Sequence, residues 1–111
     1  MTIQTSSYLP AIVDRIVQTV QPEEVILFGS LARGDGDEFA DVDLLVIESE
    51  PFNERHSRAA EIGRIERALG AIPAPADILV YSRDEVQRFR HARNHIVRKA
   101  FEEGKVLYAR S

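Results

Sequence analysis

The chain has 111 residues, 44% hydrophobic and 29% charged, with a net charge of −4 and no cysteine, so a single domain spanning residues 1–111 around one core is expected. Disulfides, thiolate metal sites and cysteine nucleophiles are excluded. No apolar run approaches the roughly 20 residues needed to cross a bilayer, and the opening Met1–Thr5 lacks the basic start and apolar core of a signal peptide, so a cytoplasmic protein with no membrane contact is expected.

Leu9, Ile12, Val13, Ile16, Val17 and Val20 recur at the spacing of one helical face and predict an amphipathic first helix, capped by Ser6 or Ser7 and ended by Pro22. A buried strand follows over about Glu24 to Phe28 and breaks at Gly29-Ser30, after which Leu31 to Gly34 reads as a short helical turn. A polar, glycine-containing loop from Asp35 to Ala40 leads to a second strand, about Asp41 to Ile47. The chain turns at Pro51, and Asn53 caps a helix to about Leu69 whose apolar stripe is Ala59, Ile62, Ile65, Ala68 and Leu69. Gly70 ends that helix, and after a stiff Pro73-Ala-Pro75 link, Ala76 to Tyr81 reads as a third strand. Ser82 and Glu85 form a capping box. It opens a helical stretch with Val86, Phe89, Ile96, Val97, Ala100 and Phe101 buried and a break near Asn94. Gly104 caps this stretch, and Lys105 to Tyr108 forms a last short strand. The expected fold is α/β (α+β), a small mixed sheet of about four strands with helices packed on it.

Within this pattern, two carboxylates interrupt an apolar strand. Residues two apart on a strand point the same way, so Asp41 and Asp43 present both side chains to one face. Such a pair repels itself, which raises a pKa or calls for a cation, and oxygen-only ligands favour a hard ion such as Mg²⁺. Upstream, the backbone N–H groups where the Gly29-Ser30 turn enters its helix, with the Ser30 hydroxyl, form an anion site of the kind that cradles polyphosphate. Strand, phosphate turn and metal strand together suggest transfer to or from a nucleotide, and the Asp35–Ala40 loop suits a mobile flap over it or a plain connection. Each element also has an ordinary reading. A lone Gly-Ser is a turn, a lone Asp-x-Asp a solvated strand end, and Asp77, the third candidate carboxylate, a strand-start aspartate.

Other residues are less informative. Residues 1–50 hold two Arg/Lys against ten Asp/Glu, and residues 51–111 hold twelve against eight. The acidic half is a poor surface for a nucleic-acid backbone, and no direct nucleic-acid contact is expected. Arg83, Arg88, Arg90, Arg93 and Arg98 read as a solvated helix face or as a surface for an anionic partner or nucleotide phosphates. His91 and His95, four apart on a helix, are a candidate metal pair with no evident third ligand. His56 is expected to open a helix and face solvent.

The set Gly29-Ser30-Leu31-Ala32-Arg33-Gly34, Asp41-Val42-Asp43-Leu44 and Asp77-Ile78-Leu79-Val80 resembles the minimal nucleotidyltransferase (MNT) domain of the polymerase-beta-like nucleotidyltransferase superfamily, over nearly the whole chain. One departure is Ala40, where the family usually has a small hydroxyl residue before the first metal aspartate. That removes a candidate hydrogen bond from behind the ligand, not the ligand itself, and puts rate or metal affinity in question by about 10–100-fold.

The resemblance implies a polymerase-beta-like nucleotidyltransferase fold and a two-ion mechanism. Two Mg²⁺ ions held by Asp41 and Asp43 would bridge the triphosphate of ATP, with Gly29 and Ser30 holding its β and γ phosphates. Asp77 would complete one metal site and help deprotonate an acceptor hydroxyl, after which attack at the α-phosphorus releases pyrophosphate. Arg33 either neutralises phosphate charge or fixes the turn through a salt bridge. Because 111 residues leave no evident lobe for an acceptor, a partner is expected to supply it. Members resembling this chain pair with a HEPN-domain toxin and transfer AMP to one of its tyrosines, so a hetero-oligomer or homo-oligomer is expected. Two alternatives stay open: an antitoxin that neutralises its partner by binding alone, and nucleotidyl transfer to a small molecule.

Overall fold

Residues 5–37 and 40–111 are described by the structure, a computed structural model. The four apolar runs become β1 (Glu24–Phe28), β2 (Val42–Glu48), β3 (Ala76–Ser82) and β4 (Lys105–Ala109), and they join in one sheet of order β3-β2-β1-β4. β2 lies inside the sheet, antiparallel to β1 and parallel to β3. A parallel pair cannot be closed by a hairpin, and here the return is made through helix α3 (Arg58–Leu69).

Alternation along β1 and β2 divides the core into two. Val25, Leu27, Val42, Leu44 and Val46 face α1 (Leu9–Val20) and α3, where Ile12, Ile16 and Ile65 complete the layer. Ile26, Phe28, Leu45 and Ile47 face the opposite way, toward α4 (Arg83–Phe89) and α5 (Ile96–Glu103), which contribute Val86, Val97 and Ala100. A strand buried on both faces has few positions for charge. That makes the side chains at the two ends of β2, Asp43 and Glu48, the informative ones.

The elements form where the residue pattern places them, with differences at their ends. Neither Ser6 nor Ser7 takes the capping position of α1: a 3₁₀ turn over Thr5–Tyr8 precedes it, Tyr8 is the cap residue without a side-chain bond, and Pro10 sits in the first turn. A proline there lacks an N–H that would have no helical partner anyway, so a side-chain cap matters less. Helix α3 starts later than expected. Its cap is Ser57, whose hydroxyl accepts from Ala60 N–H. Asn53 instead closes a tight turn, its Oδ1 accepting from Arg55 N–H at 2.8 Å and His56 N–H at 2.9 Å, the alternative use of the same short amide side chain. The Ser82–Glu85 capping box is formed as the pattern requires. The break between α4 and α5 contains Asn94 at φ +60°, and asparagine tolerates the left-handed region better than most residues. His91 and His95, the candidate metal pair, lie in this break rather than on one helix. His95 caps α5 through Nδ1, which accepts from Val97 N–H, and it stacks on the Phe89 ring at 4.3 Å.

Of the expected Asp35–Ala40 flap, Glu38 and Phe39 lie outside the described residues, as do the first four residues of the chain. No helix among the described residues is long and apolar enough to cross a membrane.

Candidate functional site

Where β2 begins, it meets β1, β3 and α2 (Gly29–Arg33), and this end carries the expected residues. Asp43 is paired in register with Phe28 on β1 and with Asp77 on β3. Asp43 and Asp77 therefore stand side by side on parallel neighbours, sharing the α4/α5 face with Leu45 and Leu79 by alternation. Asp41 lies one residue before β2 and is exposed, Asp77 is exposed, and Asp43 is half-buried.

The three carboxylates feel one another. The Asp43 carboxyl is pushed above its ordinary value of 3.8, first by burial, then by the charges of Asp77 and Asp41 and a hydrogen bond to Asp77, while Lys99 pulls it back. Like charges this close disfavour joint ionisation. The ligand atoms of all three do not come within 4.8 Å of one another. Among the described residues, the group of three metal-ligand side chains with ligand atoms within 4.8 Å of one another is Glu48, His56 and Glu61, which lies elsewhere.

Gly29 sits directly behind Asp43. It adopts φ +76°, and a Cβ built on it would overlap the Asp43 carboxylate. A side chain at this position is therefore excluded twice, by the backbone and by the neighbour. The Gly29 N–H points to an anion already present, the Glu103 carboxylate of α5, 3.0 Å away. Ser30 is half-buried, and its carbonyl accepts from the N–H groups of Gly34, Asp35 and Gly36, which folds the following loop back over it.

Arg33 takes the structural course of the two expected for it: Nε donates to Asp35 at 2.8 Å and Nη1 to both oxygens of Glu103 at 3.0 and 3.1 Å. Against the cost of its burial, Arg33 and the Gly29 N–H hold the Glu103 carboxyl below its usual range. The groups assigned by sequence to phosphate thus bind an internal carboxylate here. That is the behaviour of an anion site.

Two residues of α5 were missed by sequence reading, Lys99 and Glu103. They are four apart and so share a helical face, the one signal available, but only the fold brings that face to the start of β2. An open groove of about 740 Å³ along α5 shares both with the site, and Arg93 and Arg98 also line it. The remaining arginines of the basic segment are engaged nearby: Arg83 with Glu23 and Glu24, Arg88 with Asp84 and over Phe89, and Arg90 over the Phe101 ring.

A profile described as the nucleotidyltransferase domain matches residues 9–107. Among solved structures, a candidate nucleotidyltransferase from Sulfolobus solfataricus superposes with a TM-score of 0.65 at 21% identity, over 94% of this chain and 79% of that one. A mutant of the toxin–antitoxin MntA–HpeT gives 0.57 at 16% identity, over 92% and 73%. A toxin–antitoxin solved with AMP-PNP gives 0.51 at 17%, over 91% and 73%. At these identities the likeness is one of fold. No curated protein matches the chain.

Proposed function

Because this chain belongs to the nucleotidyltransferase domain family, we propose that it transfers AMP from ATP to a tyrosine hydroxyl of a HEPN-type toxin and acts as that toxin's antitoxin. The observation that carries this reading is the in-register Asp43–Asp77 pair set directly against Gly29. Support for the partner class comes from fold neighbours described as toxin–antitoxin proteins, one of them with AMP-PNP, and from the resemblance to MNT domains.

The donor set fits a hard divalent ion: it is all oxygen, and burial, then the neighbouring charges, push Asp43 toward its protonated form. Asp41 and Asp43 would hold Mg²⁺, with Asp77 completing the set. Bound there, such ions would supply charge neutralisation along the triphosphate and polarisation of the α-phosphoryl group. The chain's own residues do the rest. Gly29 N–H and Ser30 at the start of α2 hold the terminal phosphates, and Asp77, exposed beside Asp43, takes the proton of the acceptor hydroxyl. The acceptor oxygen then bonds to the α-phosphorus as the bond from that phosphorus to the bridging oxygen breaks, and pyrophosphate leaves.

Incubation with ATP, Mg²⁺ and a HEPN partner, read by intact mass, tests this. A partner mass gain of one or more AMP units is expected. A stable complex with no gain favours the second reading, neutralisation by binding alone, which the exposed Val106 and Leu107 on β4 also support.

Glu103 bears on the phosphate role. It occupies the Gly29 N–H and Arg33 that a triphosphate would use. Glu103→Gln should lower KM for ATP by about fivefold, roughly 1 kcal/mol, with kcat little changed, since it removes a competing negative charge and leaves the acid–base groups alone. A raised KM would mean that the acid instead positions Arg33.

A further inference from the structure

The far end of β2 carries a second set of ligand-type side chains on the other face of the sheet. Glu48 closes the strand and shares the α1/α3 face with Leu44 and Val46 by alternation; it is 5% exposed. Glu61, in the first turn of α3, is 7% exposed. His56 is delivered by the Asn53 turn, where Asn53 N–H donates to His56 C=O at 2.9 Å, and its ring is held flat against Phe52 at 4.8 Å. His56 Nε2 stands 3.4 Å from Glu48 Oε1, and one ligand atom from each of the three residues lies within 4.8 Å of the others.

These groups are under-satisfied. Arg64 donates to Glu61 Oε1 at 3.0 Å, yet Glu48 Oε2, Glu61 Oε2 and His56 Nε2 are buried without a hydrogen-bond partner. Burying carboxylates is costly unless they are fully paired, and this corner buries two side by side against one arginine. The strain is visible in Glu48, whose carboxyl is pushed up to about 8 by burial and then by the Glu61 charge. A proton shared between the two carboxylates answers two of the three orphan atoms and leaves His56 Nε2, whereas a divalent cation answers all three. The His56 imidazole selects the ion class, because one nitrogen with two carboxylate oxygens suits a borderline ion and is a poor set for Mg²⁺ or Ca²⁺. The adjoining cavity of about 360 Å³, bordered by Gln21, Ser49 and Arg110, leaves room for water as a further ligand.

We propose that Glu48, His56 and Glu61 form a cation site for a borderline divalent ion of the Zn²⁺ class, separate from the aspartates. Five residues of β2 put the two sites about 16 Å apart. The ion would tie together the end of β2, the Asn53–His56 turn and the start of α3. That makes it a structural clamp on the crossover between the two parallel strands.

Calorimetric titration of the protein with ZnCl₂ in millimolar Mg²⁺ tests the site, with Co²⁺ absorption as a spectroscopic probe of imidazole ligation. One ion per chain is expected. Glu48→Gln and His56→Gln, each checked for native circular dichroism, should weaken binding on the order of 100-fold, at least the upper end of what loss of an outer-shell partner costs. Asp41→Asn/Asp43→Asn should retain it, and Zn²⁺ should raise the Tm of wild type but of neither ligand variant. Absence of saturable binding, or binding unchanged in either folded ligand variant, would overturn the proposal. If Glu48→Gln does not fold, the His56→Gln result decides.

Discussion

Asp43→Asn should lower nucleotidyl transfer by about 10³-fold or more while leaving the ion-free protein at least as stable as wild type at neutral pH. The loss follows from charge. A cation held by the proposed acidic ligands would supply several kcal/mol of transition-state stabilisation, and each 1.36 kcal/mol is a factor of ten. An amide of the same shape keeps the packing against Gly29 and Phe28 but gives up the anionic ligand. The gain in stability follows from the same residue. In the native state its carboxyl is raised above 3.8 by burial and by Asp77 and Asp41, so the folded protein binds a proton that the unfolded chain has already released. Wild-type stability therefore falls as pH rises from about 3.8 through the raised native value, and the asparagine variant lacks that slope. Urea unfolding at pH 4 and pH 8 without divalent ions, beside single-turnover AMP transfer, measures both effects. A variant less stable at pH 8, or one that keeps activity within tenfold, would remove Asp43 from the role assigned to it.

The order of elements was legible in the residues because each carries its own local signal. The 3.6-residue stripe of α1, the Gly29 break after β1, the Ser82–Glu85 box and the Gly104 stop name their elements without any knowledge of neighbours. Asp43 stands out for a different reason: a carboxylate inside an apolar strand conflicts with its surroundings, and such conflicts concentrate at functional positions, whereas Asp77 alone reads as a strand-start aspartate and draws notice only beside the upstream motif. What escaped was everything fixed by tertiary contact. Asn53 has the chemistry both to cap a helix and to close a turn, and the choice follows from how the chain between β2 and α3 bends back to seat His56 beside Phe52. His56 accordingly lies half-buried against Glu48 rather than in solvent. Glu48 and Glu61, thirteen residues apart, carry no local signal and come together only when α3 is laid over β2. Lys99 and Glu103 share a helical face in sequence, but only the packing of α5 aims that face at the acidic residues.

Gly29→Ala should cost about 2–4 kcal/mol of stability and at least 10²-fold in transfer, whereas Gly34→Ala, five residues on, should cost only about 1–2 kcal/mol and spare activity. The comparison works because the two glycines share one problem and differ in another. Both have positive φ, +76° and +82°, so an alanine at either strains the backbone by a similar amount. At Gly34 an added Cβ meets nothing within 4 Å, while at Gly29 it lands on the carboxylate of Asp43. Asp43 cannot retreat freely, since Phe28 and Asp77 flank it in the sheet register, so either its carboxylate rotates away from its neighbours or the start of α2 lifts. Either movement separates the acidic residues from the turn proposed to hold phosphate, and displacement of a reacting group by about 1 Å can cost 10²-fold. Stability from denaturant unfolding and single-turnover transfer should thus diverge between the two variants. Equal losses in both would mean that the close approach of Gly29 to Asp43 matters only for folding. Full activity in Gly29→Ala would mean that the chemistry does not depend on that contact.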